Sequence, residues 1–176
     1  PNTWDVAFAG WDNTDNLPEF EVGIHHPNGD IMKVSRDDTG AVRDNANGTE
    51  VWLIGGTSVG SGDGWEIGTT ESGSSGSPLF NEEGKIIGQL YAGQSSCDGN
   101  QDNNDYDIYG RFGISWNTGN SPQSRLKDWL DPIESGQTTT ETIQNILGTV
   151  EFEGLGSLEV YPNPASYSIS IINGEY

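Results

Sequence analysis

Positive charge is scarce in this chain. Seven Lys and Arg stand against 27 Asp and Glu, for a formal net charge of −20 over 176 residues. So acidic a protein repels phosphate backbones and anionic headgroups, which sets nucleic acid aside as a partner. The simplest reading of the charge is a solvated shell that keeps an exported protein soluble. Long hydrophobic runs are missing too, and no stretch approaches the roughly 20 apolar residues of a membrane-spanning helix. Histidine occurs only at positions 25 and 26, and cysteine only at 97. A lone cysteine in an exported protein points to a disulfide partner outside the chain, with a free thiol nucleophile as the alternative.

What is present reads as all-β. The hydrophobic fraction is low at 32%, but six Trp, six Tyr and five Phe compensate, because each aromatic buries a large area. Trp11, Trp52 and Trp65 are expected in the core. There are 25 glycines, set with Ser, Thr, Asn and Asp between short apolar runs. The length suits one domain with an appendage.

Residues 4–11 read as a strand. In 19–26, EFEVGIHH, the alternation of Phe20, Val22 and Ile24 predicts a half-buried strand facing the core with those three. The PNGD turn at 27–30 and IMKVS at 31–35 complete a hairpin. Further strands are expected at 49–54, 65–70, 78–80, 85–93 and 107–116. Residues 55–64 and 94–107 read as loops. Ser121-Pro122 opens a helix over 121–131, with Leu126, Trp129 and Leu130 on one face. Residues 133–156 read as a linker. From Ser157 the alternation returns in LEVYPNPAS and YSISI. Pro1-Asn2-Thr3-Trp4 does not look like a natural start, and the pattern at Tyr176 is cut in mid-course, so chain is expected beyond both ends.

GSSGSPLF, at 73–80, carries the chemical interest. A serine hydroxyl needs a base to take its proton and donors to receive an oxyanion. Glycines at 73 and 76 let the backbone turn sharply enough for two N–H groups to converge. The tetrapeptide alone is equally a flexible turn. Paired histidines before a turn are more often structural than catalytic. Asp98, Asn100 and Asp102 begin like a calcium loop, but Asn103 and Tyr109 stand where Gly and Glu belong, so the EF-hand reading fails. Loose calcium binding there stays open, and no cofactor is expected.

GSSGSPLF, then GKIIGQLYAGQSSC, then DIYGRFGISW, preceded by AFAGWD and IHHPNGDIMKVS and followed by SRLKDWLDP, resemble in order the C-terminal half of a chymotrypsin-fold serine protease. The branch is the bacterial lysyl endopeptidase group. The resemblance covers residues 4–132. It implies a second, C-terminal β-barrel with a C-terminal helix over 1–132, whose N-terminal barrel, carrying the triad His and Asp, precedes Pro1. It implies Ser75 as the acylating nucleophile and the N–H groups of Gly73 and Ser75 as the oxyanion hole. Tyr91, Ala92 and Gly93 would pair with an extended peptide substrate. The acid that selects basic residues in trypsin would fall at Thr69 and is absent. In the lysyl branch it falls at Asp107, which by itself would be an ordinary loop aspartate. Tyr91 stands where lysine-specific members can carry His. Neither His25 nor His26 is the implied base, and Cys97 takes the place of a cysteine whose disulfide partner lies near the mature N-terminus.

LEVYPNPASYSISI resembles the start of the type IX secretion sorting domain of Bacteroidetes, a β-sandwich. It implies an exported, surface or extracellular protein whose residues 157–176 form a truncated tail. Two other readings compete with the protease: a non-catalytic protease-fold module, and a secreted adhesion or glycan-binding domain with tryptophans exposed for binding.

Overall fold

A computed structural model describes residues 7–56, 59, 60, 62, 64–97, 105–144, 159–161 and 170–172. The chain divides into a unit ending at Gln144 and another beginning at Asn145. The first is mostly β, with two short α-helices among the described residues. Its strands are β1 (Ala7–Phe8), β2 (Trp11–Asp12), β3 (Glu21–His25), β4 (Lys33–Asp37), β5 (Val42–Ala46), β6 (Thr49–Ile54), β7 (Pro78–Asn81), β8 (Ile86–Gly93) and β9 (Asp107–Arg111), then β10 (Thr139–Thr140) and β11 (Ile143–Gln144). The helices are α1 (Phe112–Asn117) and α2 (Lys127–Leu130). The main sheet runs β4-β3-β7-β8-β9-β6-β5, with β2 joining β8 at Trp11 and Ile86 and β10 pairing β2. Among the described residues no hydrogen-bonded ring closes this path into the expected barrel.

The core follows the aromatics. Trp52, Trp65, Tyr109, Ile54, Leu79, Ile87, Leu90 and Ala41 form its main cluster. Trp52 Nε1 donates to the Ile87 carbonyl at 2.9 Å, so its one polar group costs nothing by burial. Trp11, like Trp52 and Trp65, is buried. The adhesion reading expected Trp11, Trp52 or Trp65 to be exposed, and none of the three is.

The inward face of β3 is the reverse of the expected one. Glu21, Gly23 and His25 are buried, while Val22 and Ile24 are half-buried. On β4, Ser35 and Asp37 are buried opposite Gly23 and Glu21. Polar side chains hold this face because each finds a partner. Thr39 donates both its N–H and its hydroxyl to Asp37 Oδ1, and Ala41 N–H donates to Glu21 Oε2. The β3–β4 hairpin also closes later than the Asn-Gly signal implies. His25 pairs with Lys33, leaving Ile31 and Met32 exposed in the connection. The two-residue Asn-Gly turn occurs instead at Asn47-Gly48, both at positive φ, between Ala46 and Thr49. It joins β6 to β5, a polar edge strand that hydrophobic alternation does not reveal.

The strand expected over 65–70 reduces to isolated bridge positions at Trp65 and Ile67, the latter pairing with Arg36. The strand expected to reach Trp116 stops at Arg111. From Phe112 the chain coils, because one helical turn puts Phe112 and Trp116 on one side, against Trp11. Trp11 stacks on Phe112 with centroids 5.7 Å apart and meets Trp116 at 4.6 Å. The helix expected over 121–131 is broken at Arg125, whose backbone is extended (φ −118°, ψ 130°). A 3-10 turn (Pro122–Ser124) precedes the break and α2 follows it. Leu126 packs on the Trp11 cluster, but Trp129 and Leu130 stay exposed. The segment read as a linker from residue 133 contributes two short strands: β10 joins the main sheet through β2, and β11 forms a separate two-stranded sheet with β1.

In the second unit, β12 (Glu159–Tyr161) pairs antiparallel with β13 (Ser170–Ile172). The two alternating runs there thus make a hairpin. Residues 98–104, which hold most of the calcium-like pattern, lie outside the described residues.

Candidate active site

Ser75 sits on the loop between Thr70 and β7. Gly73 (φ +96°) and Gly76 (φ +81°) take the left-handed backbone that lets the chain turn sharply on both sides of it. The N–H groups of this loop divide into two sets. Ser74 N–H donates to Glu71, Ser77 N–H to Ser74 and Gly76 N–H to the Leu90 carbonyl. Among the described residues, no hydrogen bond takes up the N–H of Gly73 or of Ser75. The Ser75 side chain is exposed, and no described group bonds its hydroxyl.

Both histidines lie elsewhere. His25 is buried and bonds the neighbouring serine: Nδ1 lies 2.8 Å from Ser74 Oγ and Nε2 2.9 Å from Ser35 Oγ. His26 Nδ1 bonds the Asp30 carbonyl at 3.0 Å. Among the described residues, Ser75 therefore has no histidine base.

Ser75 borders a cavity of about 250 Å³, lined also by Thr70, Glu71, Leu90, Ala92, Gly93 and Asp107. Asp107 opens β9 and is buried. Its Oδ2 accepts from Trp65 Nε1 and from Thr70 Oγ1, each at 2.7 Å. Burial pushes its pKa up to about 6, with Asp105 adding to the push and Trp65, Thr70 and Ser95 opposing it. Gly93 lies opposite Asp107 across β8–β9, and its missing side chain is what leaves room for the carboxylate.

The expected substrate-binding strand is only partly gathered here. Ala92 and Gly93 line the cavity, but Tyr91 does not. A β-bulge between Leu90 and Ala92 leaves Tyr91 without a partner in the ladder. Tyr91 is 64% exposed and borders a separate cavity of about 260 Å³, with Gln89, Arg111 and Ile114. On the other edge of β8, β7 pairs as far as Gln89 and the Ser77 carbonyl takes the Leu90 N–H. From Tyr91 to Gly93 that edge has no strand partner among the described residues.

Cys97 is exposed and unbridged, and its N–H donates to Glu71 Oε1 at 3.4 Å. Thr69, in the trypsin position, does not line the cavity. As site residues, Trp65 and Thr70, which donate to Asp107, and the acid Glu71 carry no motif of their own. Trp65 offered a signal, since a buried indole N–H needs an acceptor.

Residues 1–110 match the family model described as lysyl endopeptidase, C-terminal domain. The chain belongs to the lysyl endopeptidase C-terminal domain family. That membership gives it a protease-related function within a serine protease family. The matched span contains β1 to β8, the Ser75 loop and Asp107, so every residue of the cavity lies inside it.

Proposed function

We propose that this chain carries the nucleophile and the specificity pocket of an exported serine endopeptidase that cleaves after Lys, with Arg next in preference. One observation carries the reading: a single cavity is bordered by an exposed serine on a glycine turn and by a buried carboxylate. Ser75 Oγ attacks the scissile carbonyl, and its proton passes to a base. That His, with its Asp, belongs to a further domain of the same protein outside residues 1–176. The free N–H groups of Gly73 and Ser75 receive the oxyanion. The amine leaves with the proton, and water then hydrolyses the Ser75 ester.

The substrate adds a strand along the open edge of Tyr91–Gly93, which carries its side chain toward Asp107. A Lys ammonium there meets an anion that the protein has already desolvated, and the charge-assisted hydrogen bond is correspondingly strong. The likeness of LEVYPNPASYSISI to a type IX sorting signal supports export. The test is digestion of a peptide library by the full-length protein. New C-termini ending in Lys, lost in Ser75→Ala, support the reading; cleavage without basic preference overturns the pocket assignment.

A non-catalytic, protease-fold binding module is the second reading. It rests on both histidines being bonded elsewhere than to the Ser75 hydroxyl, and the same library, left uncut, would favour it.

A further inference from the structure

Between Ser72 and Gly76 only Ser74 is buried. The loop is flanked by glycines and has no other side chain in the interior, so its position depends on what Ser74 touches. Ser74 Oγ accepts the Glu71 N–H at 3.3 Å and bonds His25 Nδ1. His25 lies 49 residues away on β3, and its second nitrogen is held by Ser35 of β4. The residues after His25 grip the same loop: Asn28 N–H donates to the Ser72 carbonyl and Asn28 Nδ2 to Glu71 Oε2, both at 2.7 Å. Burial, with His26 nearby, holds the imidazole below its usual range against the pull of Glu71. A neutral ring has one donor and one acceptor, which suits two hydroxyls that can each do either.

We propose that His25 is a positioning residue for the nucleophile loop. Through Ser74 it sets where the Ser75 hydroxyl and the N–H groups of Gly73 and Ser75 stand, while taking no proton from Ser75. This rests on the reading of Ser75 as nucleophile. The role differs from that of a core histidine because it runs through one of the two ring nitrogens. Asparagine places its amide nitrogen near the Nδ1 position, and glutamine near Nε2. His25→Asn therefore keeps the Ser74 bond and loses Ser35, while His25→Gln does the reverse.

The experiment uses the full-length protein with a lysyl ester substrate and a fluorophosphonate probe, alongside thermal melts. His25→Gln and Ser74→Ala are expected to lower kcat and the labelling rate of Ser75 about 10- to 100-fold, with KM within about 2-fold, since misplacing catalytic groups by an ångström costs up to about 100-fold. His25→Asn and Ser35→Ala are expected to stay within about 3-fold of the parent in kcat, because the link to the loop survives. The proposal is overturned if His25→Gln and Ser74→Ala keep the parental kcat, or if Asn and Gln at 25 fall together in step with the melting temperature. Ser74→Ala removes only one oxygen and reports on the loop even if the His25 variants fail to fold. If Ser75→Ala itself keeps labelling and turnover, the nucleophile reading falls and takes this proposal with it.

Discussion

A Cβ on Gly93 would stand 1.8 Å from Asp107 Oδ1. The two residues pair across β8 and β9, so the strand that would bind substrate backbone and the carboxylate that would bind its side chain are built as one unit. Gly93→Ala must push the carboxylate out of its bonds with Trp65 and Thr70 or part the strands. Overpacking of this kind costs about 1–3 kcal/mol. A lower melting temperature and a KM for lysyl substrates raised at least about tenfold are expected, the latter following from about 1.4 kcal/mol of lost binding. Steady-state kinetics of the full-length variant check it.

Recognition of Lys should carry the pH dependence of Asp107. The free carboxyl titrates at about 6, and only its anion attracts an ammonium. KM for lysyl substrates is therefore expected to be flat above that pH and to rise about tenfold per unit below it. Asp107→Asn should abolish the rise and cost about 30- to 1000-fold in kcat/KM, the scale of losing one partner of a buried charge pair. Measuring kcat/KM for Lys and for an uncharged residue from pH 5 to pH 8 decides it: a parallel fall for both would place the titration elsewhere.

Glu21 predicts an alkaline weakness of the fold. It is fully buried, and its Oε1 meets no donor among the described residues. A neutral carboxyl, unlike a carboxylate, does not bury an unpaired charge there, and it can donate to the Asp37 side chain. Burial first, and then the Asp37 charge, raise its pKa to about 9, against the pull of Ala41 N–H. The folded state thus holds a proton that the unfolded chain releases near pH 4.5. Its contribution to stability is complete in acid and declines as pH rises from about 4.5 to about 9. Glu21→Gln mimics the protonated acid and should flatten that decline, gaining most above pH 8. Denaturant titrations of both forms at several pH values test this, and an unchanged slope in the variant would refute it.

Much of the sheet was legible in sequence, and the failures share a cause. TEVWLI at 49–54 became β6 over its full expected length, because β-branched and aromatic residues gather there between Gly turns. The phase of β3 runs against its hydrophobic pattern. Val22 and Ile24 mark an apolar face by pattern, yet Glu21 and His25 face inward because Ala41, Ser35 and Ser74 await them. Period-2 reasoning sees which residues avoid water and not which buried polar groups will find partners. Phe112 and Trp116 became helical for a partner, Trp11, about a hundred residues earlier in the chain. At the site, Ser75, Ala92, Gly93 and Asp107 came from an ordered set of motifs and lie on one cavity. Trp65 and Thr70, which hold Asp107, belong to no motif, and only the fold brings them there.

The most direct measurement is covalent labelling of the folded, full-length protein with a fluorophosphonate probe, the modified residue being located by mass spectrometry. The account predicts one labelled serine, Ser75, with the label lost in Ser75→Ala and slowed by a competing lysyl substrate. A folded protein that takes no label, or takes it at another serine, would contradict the account.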